Sequence, residues 1–443
     1  MRVFAFILAL FLLVGTARSD CEVDVHEPRH PSDTRDDGPA INAAFQKCAR
    51  GGKVVLDKFY IVDSLLFTTD LHNVEIELSG TIQYTPNIEK WSPDSYFLTY
   101  QNATTFWFLS GDKIQMHGGG TIDGNGQDTG TAGGSSRTFA RPVPLTVGNA
   151  SHVHIEDITI VNSPFWNNVR IYGSYTCIVA DSLGCKFVYN STNVTYKNIK
   201  LDSVSYSDAP AANTDGWDIY RSDEVIIKDS WINNDDDCVS FKPNTTNVLV
   251  SNLWCNGSHG ISVGSLGQYV KYAGEVDIVA NITIKDVSMN NAQNGARIKV
   301  FGGSSDPGMP RNLNNFMPTD VSPDSASTAG GGSGFVQNIT YHDYTVNNVD
   351  NPILIDQCYD TAADVCAQFP SLVTISDVHF INVKGTSSGA EGNVVADLEC
   401  SSECTDITAN GTDIRPPDGA ATFTCQNIES TDQLDFNCTA PAS

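Results

Sequence analysis

The segment from Asn213 to Lys299 contains six side chains that can take part in acid–base chemistry or bind an anion. In chain order they are Asp215, Asp236, Asp237, His259, Arg297 and Lys299. One carboxyl group can donate a proton, another can activate a water molecule, and cations can hold a negatively charged substrate. Each residue alone has a simpler explanation as a turn former or a surface charge. Together the six predict a hydrolytic site.

Asp236 and Asp237 are adjacent in the sequence, and neighbours in an extended strand point to opposite faces. Both can reach one cleft if the chain turns, and the turn formers 233–235 precede them. Two close carboxylates repel, which raises the pKa of one of them and suits it to be a general acid. An Asp-rich turn or a calcium site is the alternative. The nearby His259 and the downstream cations argue against calcium, and we expect no metal and no cofactor.

His259 lies between glycines in Gly257-Ser258-His259-Gly260, so that other groups can approach its ring closely. A structural histidine is the alternative. Arg297 and Lys299 are two residues apart, which places both on one face of a strand. In isolation they fit a solvated edge, but opposite clustered carboxylates they are suited to binding a substrate carboxylate, the arginine through two hydrogen bonds.

The charge balance limits the possible partners. The chain has 26 Lys and Arg against 52 Asp and Glu, a formal net charge of -26. A nucleic acid or an anionic membrane is therefore excluded as a partner. A small molecule or a carbohydrate fits better, and an anionic substrate requires the few cations to be concentrated locally or the enzyme to work at acid pH.

The N-terminal sequence predicts export. An apolar run from Val3 to Val14 follows Arg2 and precedes small residues, which predicts a signal peptide over 1–19 and a secreted protein. The remainder, 20–443, contains no dividing linker and is expected to be one domain, acting as a monomer. Twelve cysteines in an exported chain indicate up to six disulfides. Spacing suggests the pairs Cys238–Cys255, Cys358–Cys366, Cys400–Cys404 and Cys425–Cys438.

Glycosylation sequons are frequent, in keeping with an exported surface. They begin at Asn102, Asn149, Asn190, Asn193, Asn244, Asn256, Asn281, Asn338, Asn410 and Asn437.

Short alternating strands recur along the chain, each pair interrupted by a polar break and ended by an Asn-rich turn. The unit from Glu224 to Asn247 spans 23 residues, and the longer intervals match this unit with loops inserted. This period predicts a solenoid of stacked coils, a parallel β-helix. A β-sandwich is the alternative, but hairpin signals are scarce. The segment 36–48 predicts a short helix with Asp37 as N-cap that covers one end of the core. Low-complexity insertions at 124–136 and 302–334 are expected to form cleft walls.

The motifs NTDG at Asn213, DDC at Asp236, SHG at Ser258 and RIK at Arg297 resemble, in order and spacing, those of the polygalacturonases, family 28 of the glycoside hydrolases. The resemblance extends from about Asp36 to about Tyr359 and is closest to the fungal exo-acting branch. It implies an all-β, right-handed parallel β-helix that hydrolyses α-1,4 bonds of homogalacturonan from the non-reducing end, with inversion and without a metal.

Carried over by position, the resemblance makes Asp236 the general acid, and Asp215 and Asp237 the groups that hold and deprotonate water. Inversion implies acid and base roughly 6.5–9.5 Å apart. His259 would keep the acid protonated.

The resemblance also implies substrate-binding residues. Arg297 and Lys299 would bind galacturonate carboxylates, Tyr359 would line the site, and Lys242 would add a carboxylate contact.

Departures from the family pattern are Asp235, where Gly or Gln is commoner, and Ser258, in place of the first glycine of GHG. The segment 169–186 is additional, either a loop closed by Cys177 and Cys185 or an unspliced intron. Alternative functions are a rhamnogalacturonan or xylogalacturonan hydrolase, a calcium-dependent pectate lyase, and a non-catalytic pectin-binding protein.

Overall fold

The computed structural model describes residues 19–23, 25, 35–98, 103–127, 141–164, 188–206, 211, 213–270, 275–304 and 330–440. The predicted signal peptide, apart from residue 19, the additional segment 169–186, and most of the two insertions lie outside these residues.

The described residues form parallel strands, apart from one short antiparallel pair, together with three helices. The helices are α1 (Gly38–Cys48), α2 (Ile88–Asp94) and α3 (Ala363–Gln368). The strands are β1 (Asp20–Glu22), β2 (Lys53–Leu56), β3 (Phe59–Val62), β4 (Leu66–Leu78), β5 (Thr81–Tyr84), β6 (Tyr96–Phe97), β7 (Thr104–Thr105), β8 (Trp107–His117), β9 (Thr121–Asp123), β10 (Thr146–Val147), β11 (Ser151–Glu156), β12 (Thr159–Val161), β13 (Val188–Tyr189), β14 (Thr192–Lys197), β15 (Lys200–Ser203), β16 (Trp217–Tyr220), β17 (Asp223–Asn234), β18 (Val239–Phe241), β19 (Thr245–Asn256), β20 (Ile261–Leu266), β21 (Asp277–Asn290), β22 (Asn294–Phe301), β23 (Ser333–Val349), β24 (Asn351–Tyr359), β25 (Leu372–Ser387), β26 (Val394–Asn410), β27 (Asp413–Arg415) and β28 (Thr422–Ile428). None of these helices is long and apolar enough to cross a lipid bilayer.

Strand pairing follows the predicted repeat. In the parallel pair β17 and β19, Val225 pairs with Val248, 23 residues later. In the next coil, Val248 pairs with Ile282, 34 residues later, because a loop is inserted between the strands. The prediction of a parallel β-helix is confirmed.

One face of the stack carries the residues singled out in the sequence. Its strands β16, β18, β20, β22 and β24 pair in parallel, each with the next. In β22 all eight residues are buried, on both faces of the strand. The polar side chains of this strand therefore lie beneath other atoms of the site.

The core is a continuous column of aliphatic and aromatic side chains, and helix α1 packs against its first coils. Ile41, Ala44 and Phe45 are buried on one face of α1, as predicted. Asp37 stands at the N-cap, but its side chain does not cap the helix. Its Oδ2 instead accepts a hydrogen bond from the Ile61 amide at 2.9 Å, and Oδ1 of Asp36 accepts from the Gly38 amide at 3.0 Å.

Asparagine side chains stack from coil to coil at the turns, as the repeat predicts. The Nδ2 of Asn281 donates to Oδ1 of Asn247 at 3.0 Å, and Nδ2 of Asn338 donates to Oδ1 of Asn281 at 2.9 Å. All three have φ between 54° and 59°, a left-handed conformation that asparagine tolerates well. We call such series the asparagine ladders.

All four disulfides suggested by spacing are present. A fifth, Cys21–Cys48, joins β1 to the end of α1 and was not predicted. Cys177 and Cys185 lie outside the described residues.

Candidate active site

A turn between β17 and β18 presents the paired aspartates. Asn234 fixes it, because its Nδ2 donates to the carbonyl oxygens of Thr214, Asp236 and Asp237 at 2.9, 2.9 and 3.1 Å. One side chain thus joins this turn to the loop that carries Asp215. The asparagines before the pair favour a turn, as predicted from the sequence.

The three aspartates converge. Asp215, Asp236 and Asp237 each have a carboxylate oxygen within 4.8 Å of the others. Their side chains are 2%, 13% and 0% exposed, so Asp236 is the most accessible of the three. The closest oxygens are nearer than the 6.5–9.5 Å separation expected for inversion. A gap of this size still admits one water, because two hydrogen bonds of about 2.8 Å span it.

Asp237 is held as a carboxylate by cations. Its Oδ2 accepts a hydrogen bond from Nζ of Lys299 at 2.7 Å, and its Oδ1 accepts from the Ser262 hydroxyl at 2.7 Å and lies 3.9 Å from Nη1 of Arg297. Burial favours the neutral form, but the charges of Lys299 and Arg297 outweigh it and hold the pKa of Asp237 well below 3.8. Asp237 is therefore ionised, as a general base must be before it takes a proton.

Asp236 contacts His259, whose Nδ1 lies 3.3 Å from Oδ1 of the carboxylate. Nδ2 of Asn213 donates to Oδ2 of Asp236 at 3.1 Å, and the amide of Asp237 donates to Oδ1 at 2.7 Å. Burial opposes ionisation, but the hydrogen bond and charge of His259 bring the pKa of Asp236 below 3.8. The negative charge of Asp237 acts to raise this pKa, as expected for two close carboxylates, but a protonated imidazole favours the carboxylate and the pKa is lowered overall. In turn, although burial opposes it, Asp236 raises the pKa of His259 above 6.5.

Asp215 has the opposite electrostatic environment. Burial, then the negative charges of Asp218 and Asp236, raise its pKa well above 3.8. Its buried Oδ1 has no hydrogen-bond partner within the described part of the chain. Of the three carboxyl groups, Asp215 is therefore the one whose surroundings most favour the protonated form.

Lys242 lies beneath Asp215 rather than in the open cleft. Its side chain is 5% exposed, and Nζ lies 3.1 Å from Oδ1 of Asp218 and 4.0 Å from Oδ2 of Asp215. Burial opposes the ammonium charge, but Asp218 and Asp215 raise the pKa of Lys242 above 10.5. This geometry gives Lys242 internal carboxylate partners.

Arg297, Lys299 and Tyr359 form one wall of the site. The guanidinium carbon of Arg297 lies 5.3 Å from the Tyr359 ring centroid, and Nζ of Lys299 lies 5.5 Å from it, both within range of a cation–π interaction. Nε of Arg297 is buried with no hydrogen-bond partner among the described residues.

The carboxylate cluster has the composition of a cation site, but its surroundings do not fit one. Asp215, Asp236 and Asp237 are close enough to share an ion. The ammonium of Lys299 already lies 2.7 Å from Asp237, and Arg297 is nearby. A divalent cation would be repelled by both, whereas calcium sites are built from anionic and neutral oxygens.

The sequence is also similar to known proteins over most of its length. The model of the family described as glycosyl hydrolases family 28 matches residues 54–307 and 326–435. The chain belongs to this family. It is 43% identical over 410 residues to an exopolygalacturonase of Cochliobolus carbonum, covering 91% of this chain and 84% of that protein. It is 42% identical over 417 residues to exopolygalacturonase X of Aspergillus niger, covering 93% and 87%.

A solved structure supports the fold of this family 28 member. The endo-xylogalacturonan hydrolase of Aspergillus tubingensis superposes with a TM-score of 0.76 at 29% identity, covering 96% of this chain and 100% of that one.

Three residues of this family 28 site were not identified as functional from the sequence. They are Asp218, Ser262 and Asn213. The first two lie in one row of register partners that crosses β16, β18, β20 and β22 and consists of Asp218, Ser240, Ser262 and Arg297. Asp218 binds Lys242, and Ser262 binds Asp237. Asn213, which binds Asp236, was visible only as part of its motif. Alternation along each strand could have put Asp218 on this face, but the pairing register that aligns it with Ser262 is set by loop lengths.

Proposed function

We propose that this protein is an exo-polygalacturonase that hydrolyses α-1,4-galacturonosidic bonds from the non-reducing end of homogalacturonan and releases galacturonic acid. The observation that carries the proposal is the convergence of Asp215, Asp236 and Asp237 opposite Arg297 and Lys299. The identity of 42–43% to exopolygalacturonases over more than nine-tenths of the chain supports this specificity.

In the proposed reaction, Asp236 protonates the glycosidic oxygen and Asp237 takes the proton of the attacking water. Asp237 fits the second role because Lys299 keeps it ionised. Asp215 holds the water on the opposite face of the sugar, and the configuration is inverted. After release of galacturonic acid, the proton on Asp237 is lost to solvent and Asp236 is reprotonated.

Substrate binding gives Asp236 its proton. In the free protein His259 and, more weakly, Lys299 lower the pKa of Asp236. A bound galacturonate adds a negative charge close to these cations and excludes water, and both effects raise the pKa of a neighbouring carboxyl group. The raised pKa of Asp215 makes it a second group in the same cluster that can hold a proton. His259 is thus a positioning residue for Asp236.

Arg297 and Lys299 bind the carboxylate of the sugar next to the cleaved bond, and Tyr359 packs against both cations. Lys242 acts from below, by partly neutralising Asp215 and Asp218. It does not bind the substrate itself in this mechanism.

The products formed from polygalacturonate test the proposal. Galacturonic acid alone should be detected from the first minutes, with little loss of viscosity, and nuclear magnetic resonance should detect the inverted anomer first. Asp236→Asn is the matched inactive control. An early series of oligomers would contradict exo action, and unsaturated products that require calcium would indicate a lyase. Retention of polymer without new reducing ends would indicate a binding protein.

Xylogalacturonan hydrolysis is the second candidate. It is favoured by the superposition with the hydrolase of Aspergillus tubingensis over nearly the whole chain. The two substrates, assayed in parallel at equal concentrations, distinguish the candidates by their relative kcat/KM.

We also propose that the protein is secreted as a monomer. Five disulfides among the described residues are typical of an oxidising compartment. The culture medium of an expressing host should contain the protein without residues 1–19, and light scattering should give the mass of one glycosylated chain. Peptides from 169–186 in this protein would rule out the intron.

A further inference from the structure

Two tryptophans lie on the outer surface of consecutive coils, away from the carboxylate cluster. Trp231 in β17 and Trp254 in β19 are register partners, and each stands between buried residues, so that both rings point outward. Their rings stack with centroids 5.1 Å apart and planes 4° from parallel. The core gains nothing from aromatic residues at these positions.

The two faces of this tryptophan pair differ. On one side Nζ of Lys200, the register partner of Trp231, lies 5.0 Å from the ring centroid and covers it. On the other side the register partners of Trp254 are short, Ser288 and then Thr345. One face of Trp254 therefore borders a gap two coils wide, about 10 Å at the usual strand spacing.

This gap is part of an open groove of about 540 Å³ on the same surface. None of its lining residues belongs to the carboxylate cluster or its cationic wall. A pyranose ring stacked roughly 4 Å from the indole plane fits above Ser288 without meeting Thr345. The C–H groups of a sugar face are attracted by the negative face of an aromatic ring.

The charged side chains of the groove favour a neutral sugar over a negatively charged one. Its lining includes Asp229, Asp286 and Asp343 against one lysine, Lys200, which also lies 3.9 Å from Asp202. The three aspartates have φ between 52° and 56°, which the bend requires, but asparagine would serve the bend equally well. A galacturonate would be repelled here. A neutral sugar would instead donate hydroxyl hydrogen bonds to these carboxylates.

We propose that the groove beside Trp254 is a second carbohydrate-binding site, which holds a neutral pyranose unit of a polysaccharide by stacking on the open indole face. It is separate from the proposed active site and binds a different chemical class of sugar. By holding a neutral polysaccharide at the surface, it keeps the protein close to its insoluble surroundings.

The test is a binding titration of the full chain with galactotetraose, xylotetraose and cellotetraose. Binding is measured by calorimetry and by tryptophan fluorescence. Tetragalacturonate is the charged comparator. At least one neutral tetraose should bind saturably, with affinity reduced by about tenfold or more in Trp254→Ala. Trp254→Phe, which keeps a ring face, should retain most of the affinity.

Ser288→Trp provides a second, independent variant, since it fills the gap from an outward position without removing a packing residue. It should also abolish binding. All variants should hydrolyse digalacturonate at the wild-type rate, which separates this site from the proposed active site. The proposal is overturned if no neutral tetraose saturates, or if Trp254→Ala and Ser288→Trp bind as tightly as the wild type.

Discussion

The three carboxyl groups of the site share one chemical type but differ in proton affinity because of their neighbours. Asp237 faces Lys299 and Arg297, Asp236 faces His259, and Asp215 is buried close to other carboxylates. Their positions follow from motifs that the sequence makes visible. Their protonation follows from burial and from distances between coils, which the sequence does not give.

Asp215→Asn is expected to stabilise the fold while abolishing activity. Because the pKa of Asp215 is raised, the folded chain binds this proton more tightly than the unfolded chain does, and the carboxyl group costs stability increasingly as the pH rises above 3.8. At pH 7 the variant should unfold with a free energy about 1–3 kcal/mol higher than the wild type. Urea unfolding between pH 3.5 and 7 measures the difference, which should shrink toward acid pH.

Asp237→Asn is the matched control, with the opposite sign. The lowered pKa of Asp237 contributes stability that is present above pH 3.8 and is lost as the pH falls through the folded pKa. Removing the charge leaves Lys299 buried without its partner, which should cost about 3 kcal/mol at pH 7. Equal destabilisation by both substitutions would contradict this account of the cluster.

His259→Gln should change the pH dependence of the reaction as well as its rate. Without the imidazole, the pKa of Asp236 rises, so that the alkaline limb of kcat/KM, where the general acid loses its proton, moves to higher pH. Loss of a group that positions the acid should lower kcat by about 100-fold. Steady-state kinetics over pH 3–8 provides the measurement. A reduced rate with an unmoved alkaline limb would indicate that His259 contacts the substrate instead.

At the scale of elements, the catalytic turn is held by bonds to neighbouring coils. Cys238 follows Asp237 directly and is bonded to Cys255 in β19, while Lys242, directly after β18, is paired with Asp218 in β16. Each bond crosses from one coil to another. The position of the turn therefore depends on how the neighbouring coils stack.

The double substitution Cys238→Ser/Cys255→Ser should cost about 3 kcal/mol of stability, as expected for a loop of this length, and should also lower kcat. Cys425→Ser/Cys438→Ser, far along the chain, removes a comparable disulfide and should leave kcat unchanged. Thermal unfolding and kinetics of both variants give the comparison. A similar fall of kcat in both would mean that the first disulfide has no special effect on the turn.

Lys242→Met should destabilise the protein by about 3–5 kcal/mol, because Asp218 loses its buried partner. The double variant Asp218→Asn/Lys242→Met should recover part of this loss. The KM should change less than kcat if Lys242 acts through Asp215. A rise of KM alone would restore the sequence-based assignment of Lys242 to substrate binding.

The elements differ in how far the sequence predicts them. The repeat of 23 residues and the alternation of β17 and β19 follow from local patterns, and the packing face of α1 does too. The failed cap at Asp37 and the disulfide Cys21–Cys48 depend on contacts between distant segments. Helix α3 was not predicted either, because its six residues are too few to show a helical pattern of apolar residues.

At the scale of the whole molecule, parallel pairing joins all the strands except β6 and β7, which form a separate antiparallel pair, and each coil pairs with its neighbours. Three buried cations, Lys242, Arg297 and Lys299, stand at one place in a chain with a net charge of -26. The expected local concentration of positive charge is thus present. Of these cations, Arg297 and Lys299 are the two proposed to bind the anionic substrate.

The asparagine ladders bear on how the protein is glycosylated. Asn256, Asn281 and Asn338 begin sequons, yet each already donates its amide N–H to the asparagine of the preceding coil. Asn410 and Asn437 are exposed near the last coils. Mass spectrometry of glycopeptides should find high occupancy at the latter two and low occupancy at the ladder positions; full occupancy of the ladder would contradict this expectation.

An attached oligosaccharide at a ladder position would replace one hydrogen of the amide and push apart the side chains above and below it. The edges of the molecule that carry the asparagine ladders should consequently have few attached glycans, and the glycans should be attached at other positions.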